Sequence, residues 1–397
     1  MVFTMELSAL ATSDTNPWSD RSIPLTEDDP RENYPRDRDR VIHCASFRKL
    51  QHKTQVLGVH EGDYFRTRLS HSLEVMQIGR TLACWLGLTE PLVETICLSH
   101  DLGHAPFGHA GEYALKRLLG NHGMDWNANT HSLSLVEYLE VQYPNHRGLN
   151  LTWAVREGLA RHSTRYDVPD NSNGEYHKFA QPSLEAQVAN IADVIAYCTH
   201  DVEDALLARL LEIEDLHYLG LNIWGTSWKR ACTEMRECHS EEAPPGVNLS
   251  HLLITRTRRH LIDHLVRDVY QETVRRVSDS QVEHVLQARS TTEPLVAFSE
   301  GGALEVDRLL DFMMGRVYGG PTVARQNFRA DHIITSLFES LLADSSLLPT
   351  RVQTTMKVEQ SPMEVARFLA SLTDRGAMDL FTELFVPTER TMGHHVL

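Results

Sequence analysis

The stretch SHDLGHAPFGHAGE, residues 99–112, sets three histidines and two carboxylates into fourteen positions broken by glycine and proline. It is too polar for a core helix and too regular in spacing for an arbitrary loop. Adjacent residues on a helix project about 100° apart, so His100 and Asp101 reach one ion only from a helix end or across a cleft. The following LGHAPFGH supplies such an end. His71 opens the preceding helical segment, and Asp193 lies among apolar residues in ANIADVIA, where an unpaired carboxylate is costly to bury. Two imidazoles and two carboxylates suit a divalent transition ion that keeps positions open to water and a phosphate. An HD dipeptide alone is weak evidence. The force comes from four ligand-type residues falling together at helix ends or inside amphipathic helices.

Outward from this stretch the apolar period is 3.6 residues. HSLEVMQIGRTLACWLG places Val75, Ile78, Leu82 and Trp85 on one face, and Thr89 with Pro91 starts the helix that runs into SHDLG. GHAGEYALKRLLG predicts a helix closing at Gly120. The longest helix is SLEAQVANIADVIAYCTHDVEDALLARLL, with Leu184, Val188, Ile191, Ile195 and Cys198 along one side. On it Asp193, Tyr197, Asp201 and Asp204 follow steps of four, four and three, a polar stripe that reads as the wall of a cleft. HLLITRTRRHLIDHLVRDVYQETVRRV, DHIITSLFESLLAD and PMEVARFLASLTDRGAMDLFTELF repeat the period, while RYDVPDNSNGEYHKFAQPS and SEEAPPGVN are loop chemistry. The expectation is an all-α fold. Residues 1–40 read as an irregular arm because 12–40 are rich in Asp, Arg and Pro without periodicity. Residues 41–210 read as a helical core and 211–397 as additional C-terminal helices that pack on it, contributing to a ligand pocket and an oligomer interface.

A formal charge of −16 argues against strong binding to nucleic-acid backbone or to anionic membrane, since both reward a basic surface. Arg greatly outnumbers Lys, which suits bidentate phosphate contacts. The six cysteines form no C-x-x-C pair and read as reduced thiols, hence a cytoplasmic location. No basic leader precedes an apolar run, and no window approaches the ~20 apolar residues of a membrane span.

The spaced set His71, His100-Asp101 and Asp193 resembles the HD-domain metal phosphohydrolases. More narrowly, the chain resembles their deoxynucleoside-triphosphate triphosphohydrolase branch, the dGTPase-like enzymes. The matching pieces appear in family order: RDRDRVIHCASFRKLQHKTQV, RTRLSHSLEV, SHDLGHAPFGHAGE, GLNLTWAVREGLARHS, SLEAQVANIADVIAYCTHDVEDAL and FLASLTDRGAMDLF. The resemblance implies an HD-domain helical core in which His71, His100, Asp101 and Asp193 hold one divalent ion. It implies that His109 is catalytic with Glu112 as its carboxylate partner, and their i, i+3 spacing independently allows a carboxylate to orient an imidazole. Gln55 and Val56 match a segment touching the deoxyribose, Tyr197 and Asp201 match residues beside the sugar 3′-hydroxyl, and Arg68 and His104 match residues facing the phosphates. One zone departs from the pattern. Where the family often carries Glu or Gln, residues 129–131 are Asn-Thr-His, and His131 reads as a helix cap ahead of a proton carrier.

The implied reaction turns a dNTP, dGTP or several, and water into deoxynucleoside and triphosphate. His109 is the candidate acid for the departing 5′-oxygen, with guidance of the nucleophile as the alternative role. The rival enzyme class is another HD phosphohydrolase, a 5′-nucleotidase or a cyclic-nucleotide or alarmone phosphodiesterase. A homo-oligomer, tetramer or hexamer, with an activating dNTP at a subunit interface completes the family-based expectation.

Overall fold

The computed structural model describes residues 7–25, 29–56, 65–169, 174–238, 248–355 and 361–387. Most of SEEAPPGVN and residues 170–173 of RYDVPDNSNGEYHKFAQPS lie outside them. The principal helices are α1 (Asn33–His43), α2 (Arg68–Leu86), α3 (Glu90–Ser99), α4 (His109–Gly120), α5 (Ala128–Ser134), α6 (Trp153–Ala160) and α7 (Leu184–Leu207). They are followed by α8 (Asn222–Cys238), α9 (Leu249–Ser280), α10 (Glu300–Met313), α11 (Pro321–Ala343), α12 (Pro362–Ala370) and α13 (Asp374–Phe385). Among the described residues there is no strand, only the isolated bridges Arg21↔Thr152 and Thr54↔Thr67. The fold is all-α. No helix in them is long and apolar enough to cross a membrane.

Local chemistry sets the helix limits. Thr67 and Ser70 cap the start of α2 reciprocally, and Gly87 ends it with φ 70°, a left-handed conformation that favours glycine. Thr89 stands at the start of α3 as expected, but its hydroxyl donates to Thr12 O instead of capping the helix. Val75, Ile78, Leu82, Leu92, Ile96, Val188 and Ile195 bring α2, α3 and α7 together in the main core.

Two differences from the sequence expectation concern the ends of the chain. Residues 1–40 are not irregular throughout, because α1 begins at Asn33 and the short turns Ser8–Leu10 and Pro17–Ser19 precede it. Leu7, Leu10 and Tyr34 belong to the main core. Several of the charges that suggested an unstructured arm, Arg21, Asp37 and Arg40 among them, are largely buried and engaged. Asp37 is fully buried, accepts from Arg21 and from Thr152 N at 2.8 Å, and the Arg40 guanidinium donates to Leu149 O at 2.7 Å. Residue 210 likewise marks no boundary in the packing. The main core runs from Leu7 to Val317, so α9 and α10 share it with α2 and α7. A second core joins α11, α12 and α13 to α4 and Trp126.

Candidate active site

The turn after α3 is a single 3-10 segment, His100–Gly103, seated against α5. A Cβ on Gly103 would lie 2.3 Å from Ser132 N and 2.4 Å from Ala128 O, so only glycine allows the two backbones to meet. Gly103 N donates to Ser132 Oγ at 2.8 Å, and Ser132 Oγ donates to His100 O at 3.0 Å. His131 lies inside α5, not at its start, and bonds through Nδ1 to Gly103 O at 2.9 Å. The cap it provides is therefore for the neighbouring turn, while Asn127 caps α5 itself.

This support brings His71, His100 and Asp101 together as one set of ligand-type atoms, with Asp193 of α7 against His71 and His100, all four of them buried. His71 Nε2 lies 2.9 Å from Asp193 Oδ1, and His100 Nε2 lies 3.5 Å from Asp101 Oδ1 and 3.7 Å from Asp193 Oδ1. Donors about 2.1 Å from one ion stand roughly 3 to 3.5 Å from each other, so the spacing fits a shared cation. The second neighbours agree. His100 Nδ1 faces Cys97 O at 2.7 Å, which turns the Nε2 lone pair inward, and that Nε2 and Asp101 Oδ2 are buried without a hydrogen-bond partner. Burial pushes the Asp193 carboxyl up, but the imidazoles of His100, His162 and His71 together outweigh it and hold it far below the usual range. Asp101 is also depressed, as Arg68, His100 and His104 outweigh its burial.

The structure adds His162, which the sequence reading did not single out. Its Nδ1 faces Asn190 Oδ1 at 2.9 Å, and its buried Nε2 lies 3.3 Å from Asp193 Oδ2. With His100 and Asp193 it forms a second set of ligand-type atoms beside the first. It sits two residues beyond the end of α6 and 31 residues before Asp193, so no local spacing marks it.

Against these residues opens a cavity of about 220 Å³. All the expected substrate residues line it: Gln55, Val56, Arg68, His104, Tyr197 and Asp201. His109 also reaches it, and the C-terminal helices contribute Met314, Tyr318, Val323 and Asn327. Gln55 Oε1 and Tyr197 Oη are buried and unpartnered, two groups facing a ligand-sized space. Tyr166 lies 5.3 Å from Tyr197 in a tilted contact and 6.4 Å from Tyr318 edge to face, an aromatic wall suited to a base or a sugar. Tyr318 Oη donates to Asp201, whose carboxyl burial pushes up to about 7.

The expected pair of Glu112 and His109 is present but not exclusive. His109 Nδ1 faces Glu112 Oε2 at 3.3 Å at the mouth of the cavity, where its side chain is 44% exposed. The closer partner of Glu112 is the buried His104, whose Nε2 in turn lies 3.0 Å from Asp101 Oδ1. Burial and the nearby Arg68 pull His104 down, yet Glu112 and Asp101 carry it up to about 10. Arg68 donates to Asp101 Oδ1 at 2.8 Å. A continuous chain of contacts thus runs from His100 through Asp101, His104 and Glu112 to His109.

The HD domain family matches residues 68–198, and the phosphohydrolase-associated domain matches residues 296–383. A deoxyguanosinetriphosphate triphosphohydrolase-like protein of Geobacter sulfurreducens is 40% identical over 91% of both chains. Proteins of the same description from Thiobacillus denitrificans and Wolinella succinogenes are 41% and 39% identical, over 88% and 90% of this chain and 89% and 97% of their own. The chain belongs to this family. In this HD-domain phosphohydrolase the associated domain spans α10 to α13, which places Tyr318 and Asn327 on the cavity wall. The arm's helix α1 falls outside both matched segments, yet it packs on α3, the helix that ends at the HD turn.

Proposed function

We propose that this protein hydrolyses deoxynucleoside triphosphates to deoxynucleoside and inorganic triphosphate. The observation that carries the reading is the convergence of His71, Asp101 and Asp193 on one edge of the cavity bounded elsewhere by Gln55, Val56 and Tyr197, with Asp101 Oδ2 and the adjacent His100 Nε2 buried and unpartnered. His71, His100, Asp101 and Asp193 would hold a divalent ion, which when bound supplies Lewis-acid polarisation of a phosphoryl oxygen and an acidic water. Carboxylates outnumber fixed cations around this cavity, so a polyanion needs such a counter-charge to enter.

Arg68 and a protonated His104 supply the remaining positive charge toward the phosphates. The bond to Glu112 turns His109 Nδ1 away and leaves Nε2 to hold a proton at the cavity mouth. Attack at the α-phosphorus would expel the 5′-oxygen, a poor alkoxide at neutral pH, and His109 Nε2 would protonate it. Gln55, Val56 and Tyr197 would close on the deoxyribose, leaving neither room nor partner for a 2′-hydroxyl, with Asp201 beside the 3′-hydroxyl.

Incubation of the purified protein with each dNTP and rNTP plus Mn²⁺ or Mg²⁺, followed by chromatography of the products, tests this. Nucleoside and intact triphosphate are expected, with dGTP strongly preferred to GTP. Monophosphate or orthophosphate products would turn the assignment to another HD phosphohydrolase, a 5′-nucleotidase or a phosphodiesterase. Cytoplasmic location and a tetramer or hexamer that takes an activating dNTP between subunits belong to the same proposal. Light scattering with and without dNTP measures the assembly.

A further inference from the structure

We infer that Asp374, at the first turn of α13, is a positioning residue that locks the two cavity-lining segments Thr54–Val56 and Phe107–His109 into one register. The inference rests on the proposed function for what those segments do, but its geometry stands by itself. Asp374 is 1% exposed and does not itself line this cavity, though it borders the adjoining pocket formed by Thr54, Val56 and Phe107. Its Oδ1 accepts from Phe107 N at 2.8 Å, and its Oδ2 accepts from Thr54 N at 3.0 Å and from the Thr54 hydroxyl. One carboxylate thus satisfies donors from both segments at the residues just before Gln55 and just before Gly108-His109.

The loop it grips needs holding. Phe107 has φ 64°, a left-handed conformation that side-chain-bearing residues rarely adopt, and Gly108 follows at φ 60°. A Cβ on Gly108 would lie 3.4 Å from Gln55 O, so the two segments run back to back in contact. The same corner is pinned a second time. The buried Lys53 Nζ donates to His104 O at 2.5 Å and to Ala370 O at 2.9 Å, and Lys49 Nζ donates to Ser371 O at 2.7 Å. These bonds tie the end of α12 to the same two segments. The α12–α13 corner therefore sets the spacing between the sugar-side wall and His109.

The test uses the full-length, Mn²⁺-loaded enzyme. Asp374→Asn keeps the volume but one acceptor oxygen in place of two. It is expected to fold with wild-type metal content, lose about 10-fold in kcat, and narrow the preference for dGTP over GTP by a similar factor. Asp374→Ala is expected to lose about 10²-fold, the scale of a misplaced catalytic group. Thr54→Val, which deletes only the hydroxyl bond, is expected to show a smaller loss that does not add to that of Asp374→Ala. Amide exchange at Thr54 and Phe107 is expected to quicken in Asp374→Asn while the α2 and α7 amides stay protected. Unchanged exchange at those two amides, or unchanged kcat and sugar preference in a folded Asp374→Asn enzyme, overturns the inference. Full additivity of the Thr54 and Asp374 losses also overturns it. A wild-type enzyme that hydrolyses no dNTP refutes the proposed function instead, and the exchange measurement still judges the clamp.

Discussion

His131 makes this fold sensitive to mild acid, and the effect can be worked from its surroundings. It is 4% exposed, packed at a tilt 4.8 Å from Trp126, and bonded through Nδ1 to Gly103 O, while its Nε2 has no partner. Burial pulls the imidazole down to about 3, so the folded protein keeps it neutral where the unfolded chain, at 6.5, takes up a proton. A depressed histidine makes stability fall as pH drops from 6.5 toward 3, because only the unfolded state binds the proton. One proton is worth about 1.4 kcal/mol per pH unit once the unfolded histidine is charged, so between pH 7.5 and 5 the loss is about 2 kcal/mol. His131→Gln retains an N–H for Gly103 O but cannot take up the proton. At pH 7.5 the variant is expected to be about 1 kcal/mol less stable through lost ring packing. At pH 5 the difference is expected to shift by about 2 kcal/mol in its favour. Urea unfolding of both proteins at the two pH values measures this as a difference, which removes other groups that titrate in the window. Parallel pH profiles for the two proteins would refute the reasoning.

Asp193→Ala is expected to abolish both metal binding and turnover, since three buried imidazoles lose their shared acceptor; metal analysis finding wild-type Mn²⁺ would sink the ligand assignment. His109→Ala is expected to bind metal normally yet lose 10²- to 10⁴-fold in turnover, with recovery on a nitrophenyl phosphodiester that needs no acid. An equally large defect on that substrate places His109 at the nucleophile or the phosphate. Glu112→Gln is expected to lose a comparable amount, because the same carboxylate also carries His104; a mild effect would show that the His104 contact is idle. Gly103→Ala forces α5 away from the HD turn and is expected to cost about 3 to 5 kcal/mol from overpacking and lost hydrogen bonds, read by thermal melting. Unchanged melting would show that the turn and α5 are not in the close contact described.

The parts of this molecule that were legible in the sequence are those whose chemistry repeats locally. The 3.6-residue period carried the all-α expectation, and the HD turn between two helices drew attention to His100 and Asp101, which the fold buries side by side. Asp193 was visible because a carboxylate amid apolar neighbours demands a partner. Charge misled where pairing was long-range. Asp37 and Arg40 looked like the composition of a loose arm, yet their partners lie at Arg21, Thr152 and Leu149, and together they bury a helix. His162 and Asp374 escaped for a related reason. Each looks like an ordinary polar residue at a helix end, and each acquires its role only from groups that the fold brings to it, Asn190 and Asp193 for one, Thr54 and Phe107 for the other. Tyr318 escaped likewise, as its hydroxyl meets Asp201 across 117 residues. The residues proposed to hold the ion come from segments that are each readable alone. Part of the wall beside them, Met314, Tyr318, Val323 and Asn327, is supplied by α11 and the α10–α11 junction, so the associated region shapes the cavity together with the HD core.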